Sequence, residues 1–256
     1  MALLEIEHVT QWFGGLLALA DFNLSLEARE LVAIIGPNGA GKTTVFNVVT
    51  GVYRPKGGSI AIDGRHVVGL APNRITSLGI ARTFQNVRLF KDLSVLDNVR
   101  IAGYGQAGYG PMAALFQGGL CKQEENTIVE KSMELLSLFH LDASADELAR
   151  NLPYGLQRRL EIARALATRP RILLLDEPAA GMNPGEVGQL IELIGWVQKA
   201  FDVAILLIEH QMQLVMNLCE RIIVLDFGKT IAEGKPDEIR SNKRVLEAYL
   251  GEDRVT

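Results

Sequence analysis

Hydrophobic residues recur along this chain in two rhythms, and the changes between them outline its elements. Leu4 and Ile6 alternate with Glu5 and Glu7, and Phe22, Leu24 and Leu26 alternate with Asp21, Asn23 and Ser25. A period of two marks strands with one buried face. Ser59 to Ile62, entered through Lys56-Gly57-Gly58 and left through Asp63-Gly64, makes a third strand of that kind. The three together predict an antiparallel layer. Leu31 to Ile35, Ile172 to Leu175 and Val203 to Ile208 are instead apolar without a break. Such runs suit parallel strands buried on both faces. Ile222 to Leu225 and Thr230 to Ala232, split by Asp226-Phe227-Gly228-Lys229, predict a hairpin.

Helical spacing fills the gaps. Thr44 to Thr50, stopped by Gly51, reads as a short helix. From Ser94, a plausible N-cap, to Arg150 the pattern turns helical, with Ile128, Leu135 and Phe139 on one face. Gly103 to Gly119 is rich in Gly, Tyr and Ala without periodicity and reads as a loop or irregular insertion. Leu156, Leu160, Ala163 and Ala167 predict one face of a helix that begins near Pro153. Asn183-Pro184-Gly185-Glu186 reads as N-cap, first-turn proline and N3 acid. The amphipathic run Val187, Leu190, Ile191, Ile194 and Val197 follows it. Strands alternating with helices in this way define an α/β chain.

Candidate chemistry sits where apolar strands end. Leu31 to Ile35 runs into Gly36-Pro37-Asn38-Gly39-Ala40-Gly41-Lys42-Thr43-Thr44, which reads G-x-x-x-x-G-K-[ST], and a helix follows. Strand, glycine loop and helix are the setting in which this motif binds phosphate. The glycines let backbone N–H groups turn inward, the helix N-terminus adds its positive dipole end, and Lys42 supplies a full charge. The Thr43 hydroxyl suits Mg²⁺. Ile172 to Leu175 ends in Asp176-Glu177, and Val203 to Ile208 ends in Glu209-His210. Groups at the carboxyl ends of parallel strands stand where α/β sheets bind ligands. Phe13, between the first two strands, offers a ring to a purine or serves as a core aromatic at a strand end. Gln85 taken alone is an ordinary loop residue.

Composition narrows the reading. The chain has 256 residues, 48% hydrophobic and 22% charged, which allows one large globular domain or two small ones. A formal charge of −4 gives no electrostatic footprint for nucleic acid. The start, Met1 to Glu7, lacks a basic segment followed by an apolar core, and no apolar run approaches a membrane span of about 18 residues. Any membrane role is expected to come through partners. Cys121 and Cys219, far apart, read as free cytosolic thiols.

Taken in order, these motifs resemble the ATP-binding cassette (ABC) ATPases over nearly the whole chain. Gly36 to Thr43 is similar to the family's Walker A motif and Ile172 to Asp176 to its Walker B motif, with Glu177 at the catalytic glutamate position. Gln85 matches the Q-loop glutamine, His210 the switch histidine and Phe13 the aromatic A-loop position. Gln157 to Leu166 resembles the helix that follows the family signature. Local wording points further, to the ATP-binding subunits of branched-chain amino acid importers: Phe13 to Ala18, Arg82 to Gln85, Tyr154-Gly155, Asp176 to Gly181 and Ala248 to Glu252.

The resemblance implies a RecA-like phosphate-loop core with an antiparallel β layer, formed by residues 1–85 and 166–256. A helical subdomain at 86–165 carries the signature region. It implies ATP and Mg²⁺ as ligands. Phe13 would stack on adenine, and Gly36, Asn38, Gly39, Ala40, Gly41, Lys42, Thr43 and Thr44 would hold the phosphates. Thr43, Gln85 and Asp176 would surround the metal, while Glu177, His210 and Gln85 would act in hydrolysis. The family signature L-S-G-G-Q aligns with Leu152-Pro153-Tyr154-Gly155-Leu156, so Pro153 stands in place of the serine and lacks both hydroxyl and N–H. Pro153, Tyr154, Gly155 and Leu156 would act on a partner's nucleotide. The D-loop aspartate position is Asn183. Implied partners are a second, different ABC ATPase subunit, two transmembrane permease subunits and, indirectly, a substrate-binding protein. The implied place is the cytoplasmic face of the inner membrane. A different ABC transporter, such as a lipopolysaccharide exporter, and a soluble ABC ATPase are the alternative readings.

Overall fold

The computed structural model describes residues 2–106 and 119–252. Its strands are β1 (Leu4–Phe13), β2 (Leu16–Leu26), β3 (Leu31–Ile35), β4 (Gly57–Ile62), β5 (Arg65–His66), β6 (Ile80–Arg82), β7 (Ile172–Asp176), β8 (Ala204–Ile208), β9 (Arg221–Asp226) and β10 (Lys229–Gly234). Its helices are α1 (Lys42–Val49), α2 (Pro72–Ser77), α3 (Val95–Gly103), α4 (Gly119–Leu138), α5 (Tyr154–Ala167), α6 (Pro184–Ala200), α7 (Met212–Leu218), α8 (Pro236–Arg240) and α9 (Lys243–Glu252). The chain divides into two compact units, one from the segments up to Arg82 and from Arg171 onward, the other from Thr83–Pro170.

Two sheets make the first unit. One has the order β2-β1-β4-β5 and is antiparallel throughout. The other has the order β10-β9-β3-β8-β7-β6, parallel from β9 to β6, with β10 turned back along its edge. Every residue of β3, β7 and β8 is buried, as the unbroken apolar runs require. In β1, Leu4 and Ile6 are buried while Glu5 and Glu7 face solvent. Core residues from both sheets, among them Ile6, Phe22, Ile34, Leu174 and Leu206, join Phe46 of α1 in one hydrophobic cluster. Burial pushes the Cys219 thiol up to about 12, so it stays protonated.

The first two strands reach further than their alternation suggests. They run on through Phe13 and resume at Leu16, with register shifts between Ile6 and Trp12 that break the period-two pattern. His8, at φ 53°, sits within this irregular stretch.

The second unit is helical and includes α3, α4 and α5. Ser94 caps α3 by accepting from the Asp97 N–H. Of the insertion expected at 103–119, Tyr104–Gln106 forms a 3₁₀ turn after α3; residues 107–118 lie outside the described residues. Helix α5 starts one residue later than a first-turn proline implies, because Pro153 is its N-cap. It is also buried on more than the face that Leu156, Leu160, Ala163 and Ala167 define: Arg158 and Glu161 are buried with Leu160, Ile162 and Ala163. Among the described residues no helix is long and apolar enough to cross a membrane.

Candidate functional site

Parallel pairing sets the site. Because β3, β7 and β8 run in one direction, their carboxyl ends lie along one edge of the sheet. That edge carries the loop from Gly36 to Gly41, the pair Asp176-Glu177, and the pair Glu209-His210.

The loop is shaped by close backbone approach. Gly36 has φ 147°, and a Cβ there would lie 2.0 Å from the Leu225 carbonyl oxygen. Gly41 has φ 104°, and its Cβ would lie 2.4 Å from the Ala18 carbonyl oxygen. Only glycine fits either position. Gly41 is also the N-cap of α1 and has no side chain to cap it. The first-turn N–H groups of a helix have no carbonyl partner within it, so this end of α1 suits an anion. Lys42 is buried, and its ammonium donates to the carbonyls of Gly36 at 2.6 Å and Pro37 at 2.9 Å, closing the loop on itself. Ala40 is buried; Asn38, Gly39 and Thr43 are exposed, and Thr44 is half-buried.

Asp176 ends β7 with its carboxylate buried. Its Oδ2 accepts from Arg82 at 2.8 Å, and Arg82 also donates to Asn47 Oδ1 on α1 at 2.8 Å. Arg82 therefore links the edge strand β6, the carboxylate and the helix of the phosphate loop. Glu177 follows at φ 45°, a conformation rare for a residue with a side chain and costing on the order of 1–3 kcal/mol. Its N–H donates to the Ile208 carbonyl at 2.8 Å, and its Oε2 lies 3.8 Å from His210 Nδ1. The structure thus brings Glu177 and His210 together. Oxygen donors at Thr43 and Asp176 suit a hard cation that also takes phosphate oxygens. No group of three or more His, Cys, Asp and Glu that could hold a metal ion occurs among the described residues.

Phe13 closes β1, is partly exposed and meets Tyr53 edge-on, with ring centroids 5.0 Å apart. It is not the core aromatic that the sequence left open. Stacking a base on an aromatic ring is worth about 1–3 kcal/mol. Phe13→Ala is accordingly expected to weaken nucleotide binding roughly tenfold, with Phe13→Tyr near the parent, measured by equilibrium titration with a fluorescent ATP analogue. Unchanged affinity in Phe13→Ala would remove the ring from the site.

Gln85 and the residues Leu152 to Leu156 lie in the second unit. The Gln85 side chain is exposed, and its backbone is held firmly. Arg158, wholly buried on α5, donates to the carbonyls of Phe84 at 2.7 Å and Gln85 at 2.8 Å and to the Tyr154 hydroxyl at 3.1 Å. It pairs with buried Glu161 at 2.8 Å, whose Oε1 accepts from the Arg88 N–H at 3.1 Å. One ion pair therefore fixes the segment around Gln85 to α5. Arg158, Glu161 and Arg82 were given no role from sequence, and Glu209 was named only together with His210 at the end of its strand. The signal available for the first two was a pair of opposite charges three residues apart on one helix. Removing one member of a buried pair strands the other, at about 3–5 kcal/mol. Arg158→Met should lower the melting temperature by on the order of 10 °C, read by calorimetry. A shift below 2 °C would show that the pair carries little stability.

A glycine loop capped by a helix, with carboxylates at the ends of neighbouring parallel strands, defines a phosphate-loop nucleoside triphosphatase. A family model described as ABC transporter matches residues 19–180, and one described as branched-chain amino acid ATP-binding cassette transporter matches residues 229–255. The chain belongs to the ABC transporter family as one of its ATP-binding, ATP-hydrolysing subunits. It is 46% identical over 250 residues to the high-affinity branched-chain amino acid transport ATP-binding protein BraF of Pseudomonas aeruginosa, with 98% of each chain covered. The corresponding protein LivG of Salmonella typhimurium is also 46% identical, again over 98% of each chain. Among solved structures, the ADP conformation of an ATP-binding cassette of an ABC transporter superposes with a TM-score of 0.85 at 32% identity, covering 98% of this chain and 99% of that one. A dimeric post-hydrolysis cassette bound to ADP and phosphate gives a TM-score of 0.76 at 25% identity, covering 91% of this chain and 98% of that one.

Proposed function

We propose that this chain is the ATPase of an importer for branched-chain amino acids, acting beneath its permease subunits on the cytoplasmic face of the inner membrane. The observation that carries this reading is identity at the level of 46%, end to end, with two proteins named for that transport. The loop amides and Lys42 cradle the phosphates, and Phe13 receives the adenine. Thr43 and Asp176 would hold Mg²⁺, which would supply neutralisation of phosphate charge. Glu177 takes the proton of the attacking water, and His210, beside it, contacts the γ-phosphate end. The roles of Gln85 and of Pro153 to Leu156 rest on the family resemblance.

The working assembly in this reading holds two different ATPase subunits, two permeases and, indirectly, a substrate-binding protein. Pro153 is the reason for two different ATPases: it caps α5 without any side-chain hydrogen bond. Two copies of this chain would lack the serine donor twice, each charge-assisted bond being worth about 1.5–3 kcal/mol. In the reconstituted complex, Glu177→Gln is expected to reduce transport at least tenfold more than the equivalent change in the second ATPase. Equal effects would reject the asymmetry.

Affinity capture of this chain from native membranes, followed by mass spectrometry, tests the function as a whole. Recovery of two permeases and a second ATPase, together with ATP-dependent leucine uptake by proteoliposomes, is the expected result. Recovery of exporter components, or ATPase stimulation without leucine uptake, would overturn the substrate assignment.

A further inference from the structure

We infer that Glu209 is the positioning residue that holds Glu177 and His210 in register; this rests on the reading of Glu177 as the base. Glu209 is the first residue after β8, and its carboxylate is fully buried although it belongs to an irregular segment at the sheet edge. Its Oε1 accepts the Ala179 N–H at 3.0 Å. Its Oε2 accepts the N–H groups of His210 at 2.8 Å and Gln211 at 3.0 Å. The Gln211 side-chain amide returns the link by donating to the Ala179 carbonyl at 3.1 Å. Both backbone groups of Ala179, two residues beyond Glu177, are thereby tied to the segment that carries His210.

No strand ladder reaches these positions. The pairing of β7 with β8 ends at Asp176 and Ile208. Past that point the segment from Glu177 and the segment from Glu209 are joined by the Glu177 N–H to Ile208 bond and by the Glu209 and Gln211 links just described. His210 Nδ1 lies 3.8 Å from Glu177 Oε2 and 3.7 Å from Glu209 Oε2, so a small shift of either segment changes that spacing.

The residue type follows from the donors. Three N–H groups converge on two oxygens, and only a carboxylate accepts at both. A glutamine would present its NH₂ to at least one N–H in a dry site. Aspartate, shorter by one methylene, cannot span both segments. The phosphate loop is braced independently by Lys42 and by the strands beneath it, so loosening Glu209 should spare nucleotide binding and disturb the hydrolytic step.

The test uses the full chain, alone and in the reconstituted transporter. Glu209→Gln should lower kcat at least tenfold with KM for ATP within twofold of the parent. Added to Glu177→Gln, it should change the residual rate by no more than twofold, because a residue that acts through Glu177 has nothing left to position. Wild-type kcat in Glu209→Gln, or a KM that rises as much as kcat falls, overturns the inference. If Glu209→Gln fails to fold, Gln211→Ala carries the test: it removes one hydrogen bond from a half-buried side chain and should lower kcat two- to fivefold, while an unchanged kcat rejects the clamp. Glu177→Gln run alongside separates the two failures. If it keeps parental turnover, the base assignment falls; if it is inactive while Glu209→Gln is neutral, only the role of Glu209 falls.

Discussion

Glu177→Gln is expected to bind ATP with parental affinity and to hydrolyse it roughly 10²- to 10⁴-fold more slowly, the contribution typical of a positioned general base. The substitution keeps volume and shape and removes only the proton acceptor. The Glu177 backbone is held by its N–H bond to the Ile208 carbonyl, which glutamine preserves. The left-handed conformation at φ 45° is unchanged, since the two side chains share the same cost there. The phosphate loop is closed by the Lys42 ammonium on the carbonyls of Gly36 and Pro37, which glutamine at 177 leaves in place, so binding and turnover should separate. Fluorescence titration for affinity and single-turnover hydrolysis for the chemical step make the measurement. Hydrolysis within fivefold of the parent would require another base and would dissociate the Glu177–His210 pair from catalysis.

Much of this site could be read from the chain because its parts are local. The phosphate loop is a contiguous run whose glycines answer to nearby backbone, and β3, β7 and β8 are short apolar stretches ending in the residues of interest. The start of α6 was equally plain: Asn183 accepts from the N–H groups of Gly185 and Glu186, and Glu186 returns a bond to the Asn183 N–H. What stayed hidden depends on residues distant in sequence. Arg158 meets Phe84 across 74 positions, and Arg82 meets Asp176 across 94. Periodicity could place Arg158 on a helix but could not say that its guanidinium would be buried against carbonyls of another segment. Glu209 was named only with His210 at the end of its strand; that its carboxylate also takes the Ala179 N–H, 30 positions away, is something no local pattern specifies. The β1–β2 hairpin was underestimated for a related reason: its register shifts interrupt the alternation by which a strand is recognised.

Lys42→Ala should abolish measurable ATP binding, a loss of at least 100-fold, and should also destabilise the free protein. The two effects have separate origins in one side chain. The Lys42 ammonium is buried and donates to the carbonyls of Gly36 and Pro37 at 2.6 and 2.9 Å. Alanine leaves those oxygens without this donor, at about 1–3 kcal/mol, which corresponds to a melting temperature lower by several degrees. With ATP present, the same ammonium is the loop's only full positive side-chain charge, since Gly36 to Thr44 contains no other Lys or Arg. Charge-assisted bonds to phosphate are worth about 1.5–3 kcal/mol each, and losing two of them accounts for the affinity change. Lys42→Arg distinguishes charge from fit. A planar guanidinium cannot follow the compact ammonium into a loop closed this tightly, so arginine should recover little of the binding. Calorimetry of the free chain and nucleotide titration of the same samples give both quantities. ATP affinity within threefold of the parent in Lys42→Ala would contradict the phosphate role, even if the melting temperature fell as expected, and would leave Lys42 as a brace of the loop alone.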